Sequence, residues 1–332
     1  MLDERKASIL RAVVEEYIQT AQPVGSGHVA GSAKVSFSPA TVRNDMATLE
    51  SEGYLQQPHT SAGRIPTEKG YRWFVDALAA PSLDRAAAQQ VRTFFNHAHG
   101  EIEQMLADTT RLLSGLTDYA AVVVGPAHEG GIVRSVQIVG LAPHVALIVA
   151  VLGNGAIEKR TLELAEDIDE ACLSSAAAYL SRHLVGSTMH ALAAVPPAED
   201  PAIRHVVTAA LSTLSSIDDS EADNVFVGGA SRMATAFDAV ESVRSVLAIL
   251  EQQLVVVSLL RDVLDRGLSV AIGTETGIQR LAECSIVVAP YEVEGEPAGT
   301  IGVLGPTRMN YPQALAAVAM VSNRLGRRLT EG

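Results

Sequence analysis

The strongest constraint on this chain lies between residues 38 and 53. There Ser38–Pro39 opens a helix and Gly53 closes it. A serine just before a helix accepts a hydrogen bond from an otherwise orphaned backbone N–H, and a proline in the first turn gives up only an N–H that has no partner. Glycine tolerates the left-handed backbone at which helices stop. Val42, Met46 and Leu49 form the single apolar stripe of this helix, which therefore needs other elements to cover it. Those elements flank it. Residues 4–21 carry Ile9, Leu10, Val13, Val14, Tyr17 and Ile18 at helical spacing, with Glu15 and Glu16 on the polar side. Gln22–Gly25 reads as a turn, and Ser26 is placed to cap a short helix ending near Gly31. Behind Gly53, Tyr54–Pro58 and His59–Pro66 read as two short strands around a polar loop, and Thr67–Gly70 opens a helix through Trp73, Phe74 and Leu78. Helix, short helix, helix, two-stranded wing and helix is the order of a winged helix-turn-helix.

Such a module lays its third helix in the DNA major groove. With Val42, Met46 and Leu49 inward, Thr41, Asn44, Asp45 and Thr48 fall on one flank and Ala40, Arg43 and Ala47 on the other. Arg43 can pair with guanine through two hydrogen bonds and Asn44 with adenine. Ser38 and Thr41 suit a phosphate or a thymine methyl, and the helix N-terminus favours an anion. The loop Thr60–Arg64 is small, polar and tipped by an arginine, which suits a wing on the DNA backbone. The candidate DNA-contacting residues are thus Ser38, Thr41, Arg43, Asn44, Thr48, Ser61 and Arg64. A protein-interaction module fits the same pattern, with Arg43 solvated or paired with Glu50. The pattern alone leaves both readings open.

Charge gives DNA binding no help. The chain carries a formal charge of −13, with eight Lys/Arg against nine Asp/Glu in residues 1–80 and 17 against 29 beyond. The acidic excess lies outside the N-terminal module, but the module lacks the basic footprint common in DNA-binding domains. Cys172 and Cys284 have no metal-ligand spacing and read as two separate buried thiols. Met1–Lys6 is charged with no apolar run after it, and the apolar stretches Val145–Leu152 and Leu254–Leu260 are too short to span a bilayer. These features predict a soluble cytoplasmic protein.

Beyond a linker at Ala79–Ser82, the periodicity predicts one long amphipathic helix from Asp84 to about Thr117. Strands follow at Ala120–Gly125, Arg134–Leu141, His144–Leu152 and Ala156–Leu164, with a hairpin turn at Asn154–Gly155. Residues 167–217 read as helical with breaks at Pro196–Pro197 and Pro201. A strand at Asn224–Val227 leads to Gly228–Gly229, then a helix runs from Val240 to about Arg266. Strands at Leu268–Gly273, Ser285–Val293 and Gly299–Gly305 precede a final helix, Pro312–Leu329. The glycines at 125, 130, 131, 228 and 229 lack the lysine of a phosphate loop, and His97 and His99 fall out of phase for one helix face. No nucleophile elbow, paired catalytic carboxylates or cofactor fingerprint stands out, so neither catalysis nor a bound metal or cofactor is expected.

Two long runs match a known family. Phe37–Met46 followed by Leu55–Tyr71, and Ile301–Pro312 near the other end, closely resemble the bacterial heat-inducible transcription repressor HrcA, with likeness over nearly the whole chain. The chain departs from that family at Gly27–Ser32, where two glycines weaken the scaffold helix by about 1 kcal/mol each. The resemblance implies a dimeric repressor of heat-shock chaperone operons, bound to an inverted-repeat operator in double-stranded DNA and modulated by a GroEL-type chaperonin. It also implies an α+β architecture of three parts. These are a winged-helix domain over 1–80, a discontinuous GAF-like domain over 84–165 and 240–332, and an inserted dimerising domain over 166–239. In the inserted part, Leu180, Leu184, Val207 and Leu211 are candidates for the homodimer interface, or alternatively for its own core. The alternative function is a metabolite-gated regulator with a small-molecule site in the GAF-like domain.

Overall fold

The computed structural model describes residues 2–32, 35–59, 63–79, 82–97, 102–126, 132–153, 157–165, 168–215, 225–232, 240–265 and 269–331. Helix α1 (Glu4–Thr20) starts where the Asp3 carboxylate accepts the Lys6 N–H at 2.8 Å, and buries Ile9, Leu10, Val13 and Val14. Helix α2 (Ser26–Gly31) follows, with Gly25 rather than Ser26 at the cap position and no side-chain cap bond. Helix α3 (Pro39–Ser51) is capped by Ser38, whose hydroxyl accepts the Thr41 N–H at 3.2 Å, and Gly53 turns left-handed just past its end. Strands β1 (Leu55–Gln56) and β2 (Ile65–Pro66) pair antiparallel, and Thr67 caps α4 (Glu68–Asp76). Val42, Met46 and Leu49 of α3 pack on Ile9, Leu10 and Val13 of α1, as the periodicity requires.

The expected long helix over 84–117 is two, α5 (Arg85–His97) and α6 (Ile102–Thr117). A five-stranded antiparallel sheet follows, in the order β7-β3-β10-β9-β8: β3 (Ala120–Val124), β7 (Val225–Gly228), β8 (Val270–Ile272), β9 (Cys284–Val293) and β10 (Glu296–Pro306). It is covered on both sides, which explains its nearly unbroken apolar strands. One face, with Val123, Val287, Ile301 and Val303, packs under α6 and the last helix, which we label α11 (Tyr311–Glu331). The other, with Val122, Ile286, Val288 and Leu304, packs under α9 (Val240–Leu250) and α10 (Gln253–Asp265). The single helix expected over 240–266 is broken at Glu251–Gln252.

The strands expected over 134–164 do not join this sheet. β4 (Val133–Ala142), β5 (Val145–Leu152) and β6 (Ile157–Glu163) form their own antiparallel sheet, ordered β4-β5-β6. Helices α7 (Glu170–Leu184) and α8 (Pro201–Ser215) lie on one of its faces around a separate core. The insertion therefore begins near residue 132 instead of 166, and β7, expected inside it, is an edge strand of the larger sheet. The physical reason is pairing: β4 to β6 find their ladder partners among themselves. The Asn154–Gly155 turn lies outside the described residues. Among the described residues no helix is long and apolar enough to cross a membrane.

Candidate nucleic-acid interface

Helix α3 presents Ser38, Pro39, Ala40, Arg43, Asn44 and Ala47 to solvent, with Thr41 and Thr48 half-buried beside them. Ser38 and Thr41 are tied to each other, Oγ to Oγ1 at 2.9 Å, and the Thr48 hydroxyl donates to the Asn44 carbonyl at 3.1 Å. The Thr48 donor is therefore engaged within the helix, whereas the side chains of Arg43 and Asn44 have no hydrogen bond or ion pair among the described residues. That combination leaves one long cation and one amide free to meet base edges.

Asp45 does not lie on the exposed flank. It is only 6% exposed, and its carboxylate receives Arg5 Nε at 2.8 Å and Nη2 at 3.2 Å. The fork raises the Arg5 pKa, chiefly through its hydrogen bonds to Asp45. A signal for this was present in the sequence. Asp45 stands three residues after Val42 and four before Leu49, on the same helical stripe. Its place on that stripe, not on an outer flank, turns Asp45 inward to clamp α1 to α3.

Arg64 also departs from its expected place. It is not at a loop tip. Its backbone bridges Val24, with N–H to carbonyl bonds of 2.9 Å in both directions, and its guanidinium turns inward onto Glu50, Nε and Nη2 each at 2.8 Å. The neighbouring Gly63 lies so close to the Pro23–Val24 backbone that a side chain there would collide with it. Glu50 is thus the partner of Arg64, not of Arg43. Ser61 lies outside the described residues. Lys6 is close to Asp3 and Glu52, and Lys69 donates to the Glu52 carbonyl at 2.8 Å while lying over the Tyr54 ring. Much of the basic charge of the module is spent on its own acids and carbonyls.

The residues proposed from the sequence for a homodimer interface are elsewhere. Leu180, Leu184 and Val207 are fully buried between α7, α8 and the three-stranded sheet, and Leu211 is half-buried against the same core. Helices laid on a sheet face bury the stripe that points at it, so these leucines hold the insertion together. The opposite face of that sheet carries Val145, Leu147, Val149 and Val151, half-buried, and Val139 and Leu141 on β4 are 48% and 58% exposed. In the larger sheet domain a cleft of about 690 Å³ lies between β9 and the end of α11, lined by Glu292, Glu294, Asn323, Arg327 and Thr330 among others. Ala289, Pro290, Tyr291 and Ala319 complete a lining that mixes apolar and polar groups.

The run Ile301–Pro312 is structural. Met309 and Tyr311 are fully buried, the Tyr311 hydroxyl bonds Ser285 Oγ at 2.8 Å and donates to the Thr307 carbonyl at 2.6 Å, and Asn310 N–H donates to Tyr119 Oη at 2.8 Å. These bonds lock the end of β10 to the start of α11.

A small module of four helices with a two-stranded wing, set on a larger mixed domain, is the build of a winged-helix transcription regulator. The profile of the HrcA protein C-terminal domain family matches residues 103–315. The heat-inducible transcription repressor HrcA of Pelotomaculum thermopropionicum is 37% identical over 98% of this chain and 96% of its own length. That of Nocardioides sp. is 38% identical over 100% of both. A solved structure described as a hypothetical protein at 2.2 Å resolution shares the fold, with a TM-score of 0.69 at 23% identity over 100% of this chain and 99% of its own. The chain belongs to the HrcA family of heat-inducible transcription repressors.

Proposed function

We propose that this repressor binds an inverted-repeat operator in double-stranded DNA as a homodimer, with α3 of each copy in a major groove. The observation that carries the reading is the exposed, unengaged pair Arg43 and Asn44 in the first half of a helix whose other face is buried. Ser38 and Thr41 sit at the helix N-terminus, where a phosphate is favoured, and Thr48 lies one turn beyond Asn44. Ser61 stays a candidate backbone contact from its place in the sequence alone, and Arg64 acts through the Glu50 pair that fixes wing to helix and not as a free cation. A near-neutral reader gains little from phosphate neutralisation alone, so two linked readers supply the affinity that one lacks. We assign the dimer contact to the outer face of the β4-β5-β6 sheet, where the apolar side chains of Val139 and Leu141 on β4 are 48% and 58% exposed. Family membership supports, as parts of this reading, control of chaperone operons, a cytoplasmic location and modulation by a GroEL-type chaperonin. A gel shift at one stated salt concentration, with promoter inverted repeats against scrambled duplex, tests the reading. Preference for the repeat that grows with protein concentration as a dimer supports it, and equal binding to both duplexes refutes it.

A further inference from the structure

Reader and core are joined by more than a chain segment. Helix α4, the last of the reader, lies against the turn Ile272–Gly277 of the core. Arg72 Nε donates to Glu275 Oε1 at 2.9 Å, and its Nη2 donates both to Glu275 Oε2 and to the Val270 carbonyl, the latter at 2.8 Å. Glu275 is itself fixed, because Oε2 also accepts the Ile272 N–H at 2.9 Å. One helical turn away on the same face of α4, Glu68 accepts the Thr274 N–H at 3.0 Å and the Thr274 hydroxyl at 2.5 Å. Gly273 sits beneath it with φ +54°, and any side chain there would run into the Glu68 carboxylate and the Ala282 carbonyl. Between the two polar anchors, Tyr71 is buried with its ring 5.8 Å from that of Tyr311. Two anchors one turn apart and a buried ring between them restrain both translation and rotation of α4 over the core. A reader that only needed tethering would not require this.

We infer that the α4 contact sets the distance and phase between the two readers of a dimer. Arg72 and Glu275 are then positioning residues that fix the half-site spacing the repressor accepts. The inference rests on the dimeric operator reading above. Affinity from two linked sites is high only when the linkage matches the span, so a rigid joint gives a steep dependence on spacing and a loose one a flat dependence.

The test uses the full chain. Wild type first selects its inverted repeat from random duplex. Binding is then measured to that repeat, to repeats with the spacer lengthened by about two or about five base pairs, and to a single half-site. The variants are Arg72→Met, which keeps the aliphatic stem and removes the donors, Thr274→Val, which removes the hydroxyl on Glu68, and Arg72→Lys. The expected result is that wild type loses about a hundredfold on altered spacing while Arg72→Met and Thr274→Val lose about tenfold or less, all binding the single half-site alike. Arg72→Lys, with charge but no fork, falls between. An unchanged spacing profile in whichever of the first two variants folds overturns the inference. So does tighter binding of the selected repeat with the profile intact, which would make the contact inhibitory. A wild type that prefers no repeat over one half-site would sink the dimeric reading, a result distinct from either.

Discussion

At the scale of single residues, the reader divides its side chains into two groups. Asp45, Arg5, Arg64 and Glu50 are spent on holding α1, α3 and the wing together, while Arg43 and Asn44 are left outward. Replacing either outward residue by alanine therefore removes base contacts without touching the core. Arg43→Ala and Asn44→Ala are each expected to weaken specific binding by about 1–3 kcal/mol and relax base preference, with the melting temperature unchanged. Binding titrations against single-base operator variants check this, and wild-type discrimination in both variants would remove α3 from the groove. Arg64→Ala behaves differently. It leaves Glu50 without its partner and is expected to cost the module about 1 kcal/mol of stability in urea unfolding, with base preference intact. A pure loss of salt dependence, with stability unchanged, would return Arg64 to the DNA backbone.

At the scale of elements, the insertion separates what fills a core from what is left over. Leu180 on α7 meets the sheet and is fully buried. Leu180→Ala should therefore cost about 2–5 kcal/mol in unfolding, as core truncations do, with no direct effect on association. Leu141→Glu on β4 should leave the fold intact, since that side chain is 58% exposed, and should shift sedimentation from dimer to monomer with loss of operator binding. If Leu141→Glu stayed dimeric and Leu180→Ala became a folded monomer, the assignment of the two faces would be reversed. The strands of this insertion were visible as alternating apolar residues, but their sheet was not. Alternation specifies a half-buried strand, and nothing in β4 to β6 says which other strand it pairs with.

At the scale of the whole molecule, burial of weak acids ties stability to alkaline pH. Burial pushes the Cys284 thiol up to about 12 from an ordinary value near 9, with Glu283 adding to the shift. Burial also raises the hydroxyls of Tyr71, Tyr291 and Tyr311. Between pH 9 and 12 the unfolded chain gives up the Cys284 proton while the native chain keeps it. This contribution is complete below the lower value and is lost as pH rises through the upper one. Urea unfolding at a series of pH values across that window should show stability falling, and falling less steeply in Cys284→Ala. Equal slopes would mean that Cys284 ionises in the native state. A thiol reagent should likewise modify half-buried Cys172 first and reach buried Cys284 only on unfolding.

The amino-acid sequence alone determined what is local: the capped helix behind Ser38–Pro39, its inward stripe, the outward Arg43 and Asn44, and the family signatures at both ends of the chain. These follow from backbone geometry and from a repeat of three and four residues, which neighbours in sequence satisfy by themselves. Tertiary structure alone decided the rest: that Asp45 faces Arg5 across 40 positions, that Arg72 grips Glu275 across 203, and that β7 pairs with β3 while β4 to β6 pair apart. Each of these joins groups whose partners are fixed by the closing of the chain, and a charge or a strand edge carries no mark of which distant partner will complete it.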